Sequence, residues 1–163
     1  IMFDKETYKL AEVLGRQCLD KKIVLGTSES CTGGLLGQVI TSAPGSSSWF
    51  DCGFITYSNK SKIKCLGVNK ETISRFGAVS QETANEMAIG ALKKSEGNIS
   101  ISITGIAGPS GGSKTKPIGT VFFSIVTKNE IILEHRAKLI GNREQIRTNA
   151  LLFSLNQLLT LTL

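Results

Sequence analysis

The heptapeptide Ser28-Glu29-Ser30-Cys31-Thr32-Gly33-Gly34 sets three hydroxyls, a thiol and a carboxylate between an apolar run and two glycines. Ser30 and Cys31 are both candidate nucleophiles, and each needs help at neutral pH. A serine hydroxyl attacks only as a base takes its proton, and a thiol must first become a thiolate. The chain has one histidine, His135, in the alternating run IILEHRAKL, which puts it on a strand face in a structural or solvated role. A Ser–His or Cys–His pair is therefore disfavoured, and a lysine of depressed pKa is the next candidate base. Lys62 follows Thr56-Tyr57-Ser58-Asn59 by a few residues, close to the carboxyl end of an expected strand. Spacing alone does not separate Lys62 from a solvated helix lysine, Tyr57 from a packing tyrosine, or Cys31 from a small buried filler.

The elements that must position these groups follow from apolar periodicity. Leu10, Val13, Leu14 and Cys18 share one face of a first helix, and the β-prone run Ile23-Val24-Leu25 then leads into the heptapeptide. Leu35, Leu36, Val39 and Ile40 repeat at helical spacing until Pro44-Gly45. The heptapeptide thus lies at a strand-to-helix turn, where free N–H groups and the positive end of a helix face a ligand. Gly53 to Tyr57 read as a second strand, followed by a short helix carrying Lys60, Lys62 and Lys64. Ser80 is placed to cap a helix with the stripe Ala84, Met87, Ala88, Ala91 and Leu92. The run NISISITG alternates with period two and empties into the glycine-rich IAGPSGG. A hairpin is expected near 119–127 and 131–139, and Asn142 caps a last helix. These elements predict one three-layer α/β/α domain over residues 1–163 with a mixed, mostly parallel sheet.

Composition narrows the partners. The net charge is +6, but the basic residues are scattered and not interleaved with aromatics, which favours a phosphate-bearing small molecule over nucleic acid. No apolar run reaches the ~18 residues of a membrane span, and the first residues lack the order of a signal peptide. A cytoplasmic protein with reduced thiols is expected. Four cysteines without a C-x-x-C pair, and one histidine, make no zinc pattern, so no metal is expected. The 17 glycines cluster after expected strands without forming a Walker A or G-x-G-x-x-G motif, so triphosphates and dinucleotides lose support.

In order along the chain, SESCTGGLL, PGSSSWF, GFITYSNKSK, LGV, GAVS, MAIGAL, TGIAGPSGG and KPIGTV resemble the CinA carboxyl-terminal domain family, over about residues 5–160. The resemblance is to its stand-alone nicotinamide-nucleotide amidase form. It implies hydrolysis of the carboxamide of nicotinamide mononucleotide to nicotinic acid mononucleotide and ammonia, without metal or cofactor, by a homodimer. It implies Ser30 as nucleophile, Lys62 as base and Tyr57 as its partner, and it carries over Arg143 from the stretch Gly141-Asn142-Arg143. Ser28 and Asn142 depart from the alanine and aspartate common in the family, and neither departure removes a catalytic group.

On this reading Lys62 takes the Ser30 proton directly or through Tyr57, and Cys31, Thr32, Gly33 and Gly34 form a backbone cradle for an oxyanion. Ser46, Ser47, Thr104, Gly105 and Arg143 are the candidates for holding the 5′-phosphate. Glu29 is expected to turn away, capping the helix or tying down a loop, since its charge would discourage a neutral lysine. The Lys114–Lys116 segment is either a closing loop or a solvated one. The competing reading is a non-catalytic nucleotide-binding module.

Overall fold

Strand β3 (Ile99–Gly105) has no solvent face, although its sequence alternates isoleucine with hydroxyl residues. Ile101 and Ile103 point into the main core with Leu14, Leu36, Phe123, Leu151 and Leu155. Ser100 and Ser102 point the other way and donate to the carbonyls of Ala88 (2.5 Å) and Ala84 (2.6 Å) on a helix. The small side chains of that helix let it approach closely enough to take those protons, so the hydroxyls are satisfied away from water. The computed structural model describes residues 3–163.

Five strands form one sheet in the order β2-β1-β3-β4-β5, with β1 at Leu25–Glu29, β2 at Phe50–Ile55, β4 at Thr120–Thr127 and β5 at Ile131–Lys138. β1 pairs in parallel with β2 and β3, whereas β4 runs antiparallel to both β3 and β5. Four of the five strands therefore point one way, which is the mixed, mostly parallel sheet the sequence predicts. Helices α1 (Lys5–Asp20), α2 (Leu35–Ser42) and α6 (Arg143–Thr162) pack together on one face. Helices α3 (Asn59–Leu66), α4 (Lys70–Phe76) and α5 (Gln81–Lys93) cover the other, giving the three layers. No helix among the described residues is long and apolar enough to cross a membrane.

Two expectations shift. β1 was expected at residues 23–25, but it runs from Leu25 through Ser28 to Glu29, so the heptapeptide begins inside the sheet. Thr27 and Ser28 are wholly buried between β2 and β3, and such a central strand carries no apolar alternation to betray it. The sequence reading did not anticipate α4. None of its seven residues is buried, so it has no stripe to read, only an Asn69 cap and a Gly77 stop. His135 on β5 stacks on Phe153 of α6 (ring centroids 4.6 Å apart, planes at 22°). Three strand spacings separate it from β1, roughly 14 Å, so it serves packing and pairs with neither Ser30 nor Cys31.

Candidate active site

Ser30 is the first residue beyond β1, at the carboxyl ends of the parallel strands, where open α/β sheets place their ligands. Its backbone is held on both sides: its N–H donates to Ile103 O (2.9 Å) and its carbonyl accepts from Gly33 N–H (3.1 Å). The turn that follows needs positive φ at Gly33 (62°) and Gly34 (97°), the second being the N-cap of α2. Glu29 secures both ends of this turn. Its carbonyl accepts from Thr56 N–H (2.9 Å), tying β1 to the end of β2. Its buried carboxylate accepts from the N–H groups of Gly34, Leu36 and Gly37 at 2.9–3.2 Å, which satisfies the free donors at the start of α2. Glu29 therefore caps the helix, as its sequence position suggests. Glu29→Ala should strand three donors and lower stability by about 3 kcal/mol, or roughly 6–12 °C in Tm, which thermal denaturation would measure.

Lys62 comes to the same point from the opposite face. Ser58 and Ser61 make a reciprocal capping box (3.1 Å each way) that starts α3, and Gly67 ends it with φ 71°. Gly90 on α5 lets α3 pack tightly, because a Cβ there would lie 2.0 Å from Leu66 O. Lys62 is 1% exposed. Its Nζ lies 2.9 Å from Ser30 Oγ, 2.7 Å from Thr56 O and 3.3 Å from Tyr57 O. Burial pulls its pKa down from 10.5 to about 8. At pH 7 the neutral amine is then about a tenth of the population, against ~0.03% for an ordinary lysine. The geometry also orients that amine. Two carbonyls accept its two protons, and the lone pair is left facing the Ser30 hydroxyl.

Cys31 is buried beside Ser30, and burial pushes its thiol up to about 12, so it stands as a neutral packing group. Tyr57 departs from its expected place in the proton path. Its phenol accepts from Arg143 Nη2 (3.0 Å), and only its carbonyl reaches Lys62. The ring is 60% exposed and forms a wall of the cleft, so the Ser30–Lys62 contact is direct.

The cleft in front of Ser30 has a volume of about 290 Å³, and Tyr57, Lys62, Thr104, Gly105 and Arg143 line it together with Ala78–Val79 and residues 106–108, 110 and 111. Thr104 is present, but its hydroxyl proton is committed to Ala78 O (2.8 Å). Gly105 contributes close approach, since a Cβ there would lie 2.8 Å from Thr120 O on β4. Arg143, the first residue of α6, donates to Gly108 O (2.6 Å) as well as to Tyr57. Within the expected cradle, Gly33 and Gly34 spend their N–H groups inside the turn, on Ser30 and Glu29. The Cys31 and Thr32 N–H groups have no hydrogen-bond partner among the described residues. Ser46 and Ser47 are not brought to the site. They lie in the 3₁₀ turn that precedes β2, at the other end of the strands, roughly 16 Å away along a five-residue strand. Nor is the Lys114–Lys116 segment a free lid: Lys116 Nζ donates to Phe76 O (2.7 Å) and Arg136 to Thr115 O (2.6 Å).

The sequence model of the CinA C-terminal domain matches residues 7–162 of this chain. The chain belongs to the CinA C-terminal domain family. Among family members it is 43% identical over 157 residues to the nicotinamide-nucleotide amidohydrolase PncC of Escherichia coli K12, covering 96% of this chain and 95% of that protein. It is also 45% identical to a putative competence-damage inducible protein of Clostridium novyi, of which it spans 36%. The solved structure of the competence/damage inducible protein CihA from Agrobacterium tumefaciens superposes with a TM-score of 0.94 at 38% identity, covering 100% of this chain and 99% of that one. CinA-type motif matching had pointed to Ser30, Lys62 and Arg143, but not to Arg147. That residue sits one helical turn beyond Arg143 and donates into the turn after Ser30. Its i, i+4 spacing from Arg143 was the available signal.

Proposed function

We propose that this chain hydrolyses the carboxamide of nicotinamide mononucleotide, with Ser30 as nucleophile and Lys62 as general base. The observation that carries this reading is the buried amine 2.9 Å from the Ser30 hydroxyl, with its other two partners both carbonyls. The substrate comes from relatives named nicotinamide-nucleotide amidohydrolase, at 43% and 42% identity over nearly the whole chain. Ser30 Oγ attacks the carboxamide carbon as its proton passes to Lys62 Nζ. The tetrahedral oxyanion draws on the free N–H groups of Cys31 and Thr32, and one such donor is typically worth about 3 kcal/mol. The Lys62 ammonium then protonates the amide nitrogen, the C–N bond breaks, and ammonia leaves an acyl ester on Ser30. Water attacks that ester with Lys62 again as base. Nicotinic acid mononucleotide leaves, and Ser30 recovers its proton.

Arg143 and the N–H groups of Ser110 and Gly111 would hold the 5′-phosphate, since all three residues line the same cleft as Ser30 and Lys62. An arginine offers the phosphate a two-pronged hydrogen bond. A cytoplasmic homodimer belongs to the same reading, and light scattering of the purified chain tests the dimer.

Incubation with nicotinamide mononucleotide should release ammonia and nicotinic acid mononucleotide in equal amounts. The rate, kcat/KM, should rise about tenfold per pH unit up to about pH 8 and level off above it, because the active form of Lys62 is the deprotonated one. Absence of ammonia, or a rate independent of pH between 6 and 9, would overturn the reading.

A further inference from the structure

The guanidinium of Arg147, half-buried on α6, donates from Nε to Cys31 O (3.0 Å) and from Nη2 to Thr32 O (3.0 Å). These are the carbonyls of two consecutive peptide units directly after the nucleophile. A peptide unit is planar and trans, so fixing its C=O also fixes the N–H on its other side. The Cys31 carbonyl belongs to the unit that carries the Thr32 N–H, which like the Cys31 N–H has no partner among the described residues. The Thr32 carbonyl belongs to the unit that carries the Gly33 N–H, which holds Ser30 O (3.1 Å). Both prongs of one side chain therefore act on the immediate surroundings of Ser30. The turn needs glycine at 33 for its positive φ (62°), and a Cβ there would just touch Nη2 at 3.4 Å.

We infer that Arg147 is a positioning residue for the nucleophilic turn: it aims the Thr32 N–H at the developing oxyanion and polarises that N–H from the carbonyl side. The inference rests on Ser30 being the nucleophile, but not on the identity of the substrate. A cation on a peptide oxygen draws electron density through the amide and strengthens its N–H as a donor. A planar fork also spans two carbonyls in fixed geometry, which the point charge of a lysine does not. Arg147 itself makes no hydrogen bond to the Ser30 hydroxyl or Lys62 among the described residues.

A fluorophosphonate probe tests this without the nucleotide. Ser30 Oγ bonds to phosphorus, fluoride leaves, and the proton goes to Lys62. The reaction uses the same oxyanion donors as acyl transfer. Arg147→Gln should lower the plateau rate of Ser30 phosphonylation ~30–100-fold. The pH midpoint near 8, set by burial of Lys62, should stay in place. Arg147→Lys should fall between the two, and KM for nicotinamide mononucleotide should change less than threefold while kcat falls. A merely structural arginine would lower Tm and leave the rate per folded molecule unchanged, and that result overturns the inference. So does a displaced midpoint with an unchanged plateau. If Arg147→Gln does not fold, Arg147→Lys decides, and a wild-type rate in it overturns the clamp. Wild-type protein that phosphonylates at Ser30 yet releases no ammonia would sink the substrate reading alone. Protein that is not labelled at Ser30 would sink both.

Discussion

Ser30→Ala is expected to reduce ammonia release from nicotinamide mononucleotide by at least ~10⁴-fold, the scale seen when a covalent nucleophile is removed. Two neighbours bear on the result. Cys31 cannot substitute, because burial holds its thiol at about 12 and leaves it neutral at any working pH. His135, stacked on Phe153 and separated from β1 by two intervening strands, cannot activate another group. Cys31→Ala should therefore stay within a few-fold of wild type, at the modest cost of a small buried cavity. Steady-state kinetics of the two variants, with circular dichroism to verify folding, would separate the nucleophiles. Full turnover by Ser30→Ala would remove the serine mechanism altogether.

Lys62→Met should cost ~10³–10⁴-fold in kcat/KM, the range for a positioned general base, and should also abolish the limb near pH 8. It carries a second, independent signature in stability. The folded-state pKa of Lys62 is depressed from 10.5 to about 8 by burial. Below pH 8 both folded and unfolded chains hold the proton, and the folded state bears the full penalty of a buried charge. Between pH 8 and 10.5 the unfolded chain binds more protons than the folded one, so wild-type stability rises with pH through that window. The gain is on the order of 2–3 kcal/mol, less than the full shift because Lys62 borders an open cleft. Lys62→Met has no such group. The difference in unfolding free energy, wild type minus variant, should therefore climb from pH 7.5 to 10.5. A flat difference would mean that Lys62 titrates normally in the folded protein. The absolute sign at pH 7 is a separate matter, since the variant also leaves the Thr56 and Tyr57 carbonyls without a donor.

The parts of the fold that were legible are those with a local signal. Ser80 and Asn142 cap their helices as their positions suggest, and the β4–β5 hairpin falls within a residue of its expected bounds. The parts that were not legible lack an apolar period. β1 is buried through Gly26, Thr27 and Ser28, and α4 buries nothing. The same division runs through the site. Ser30 stands at a strand-to-helix turn and is a candidate by residue type, whereas Lys62, within α3, is told from a solvated helix lysine only by the family resemblance. Ser46 and Ser47 look equally suited to an anion, yet the strand between them and Ser30 carries them to the far end of the sheet.

By itself the sequence determined the residue types. It carries a hydroxyl and a thiol at a strand-to-helix turn, and a single histidine on a strand face, which disfavours a histidine base and leaves a lysine as the next candidate. Only the tertiary structure decided which atoms meet. Thr56 O and Tyr57 O consume the two protons of a neutral Lys62, Glu29 is drawn off to cap α2, and Tyr57 turns its phenol to Arg143 instead of to the proton path. The physical reason is that a pKa and a lone-pair direction are set by burial and by partners distant in the chain. In SESCTGG the sequence names the neighbours of the proposed nucleophile, and the fold alone sets where their protons and carbonyls point.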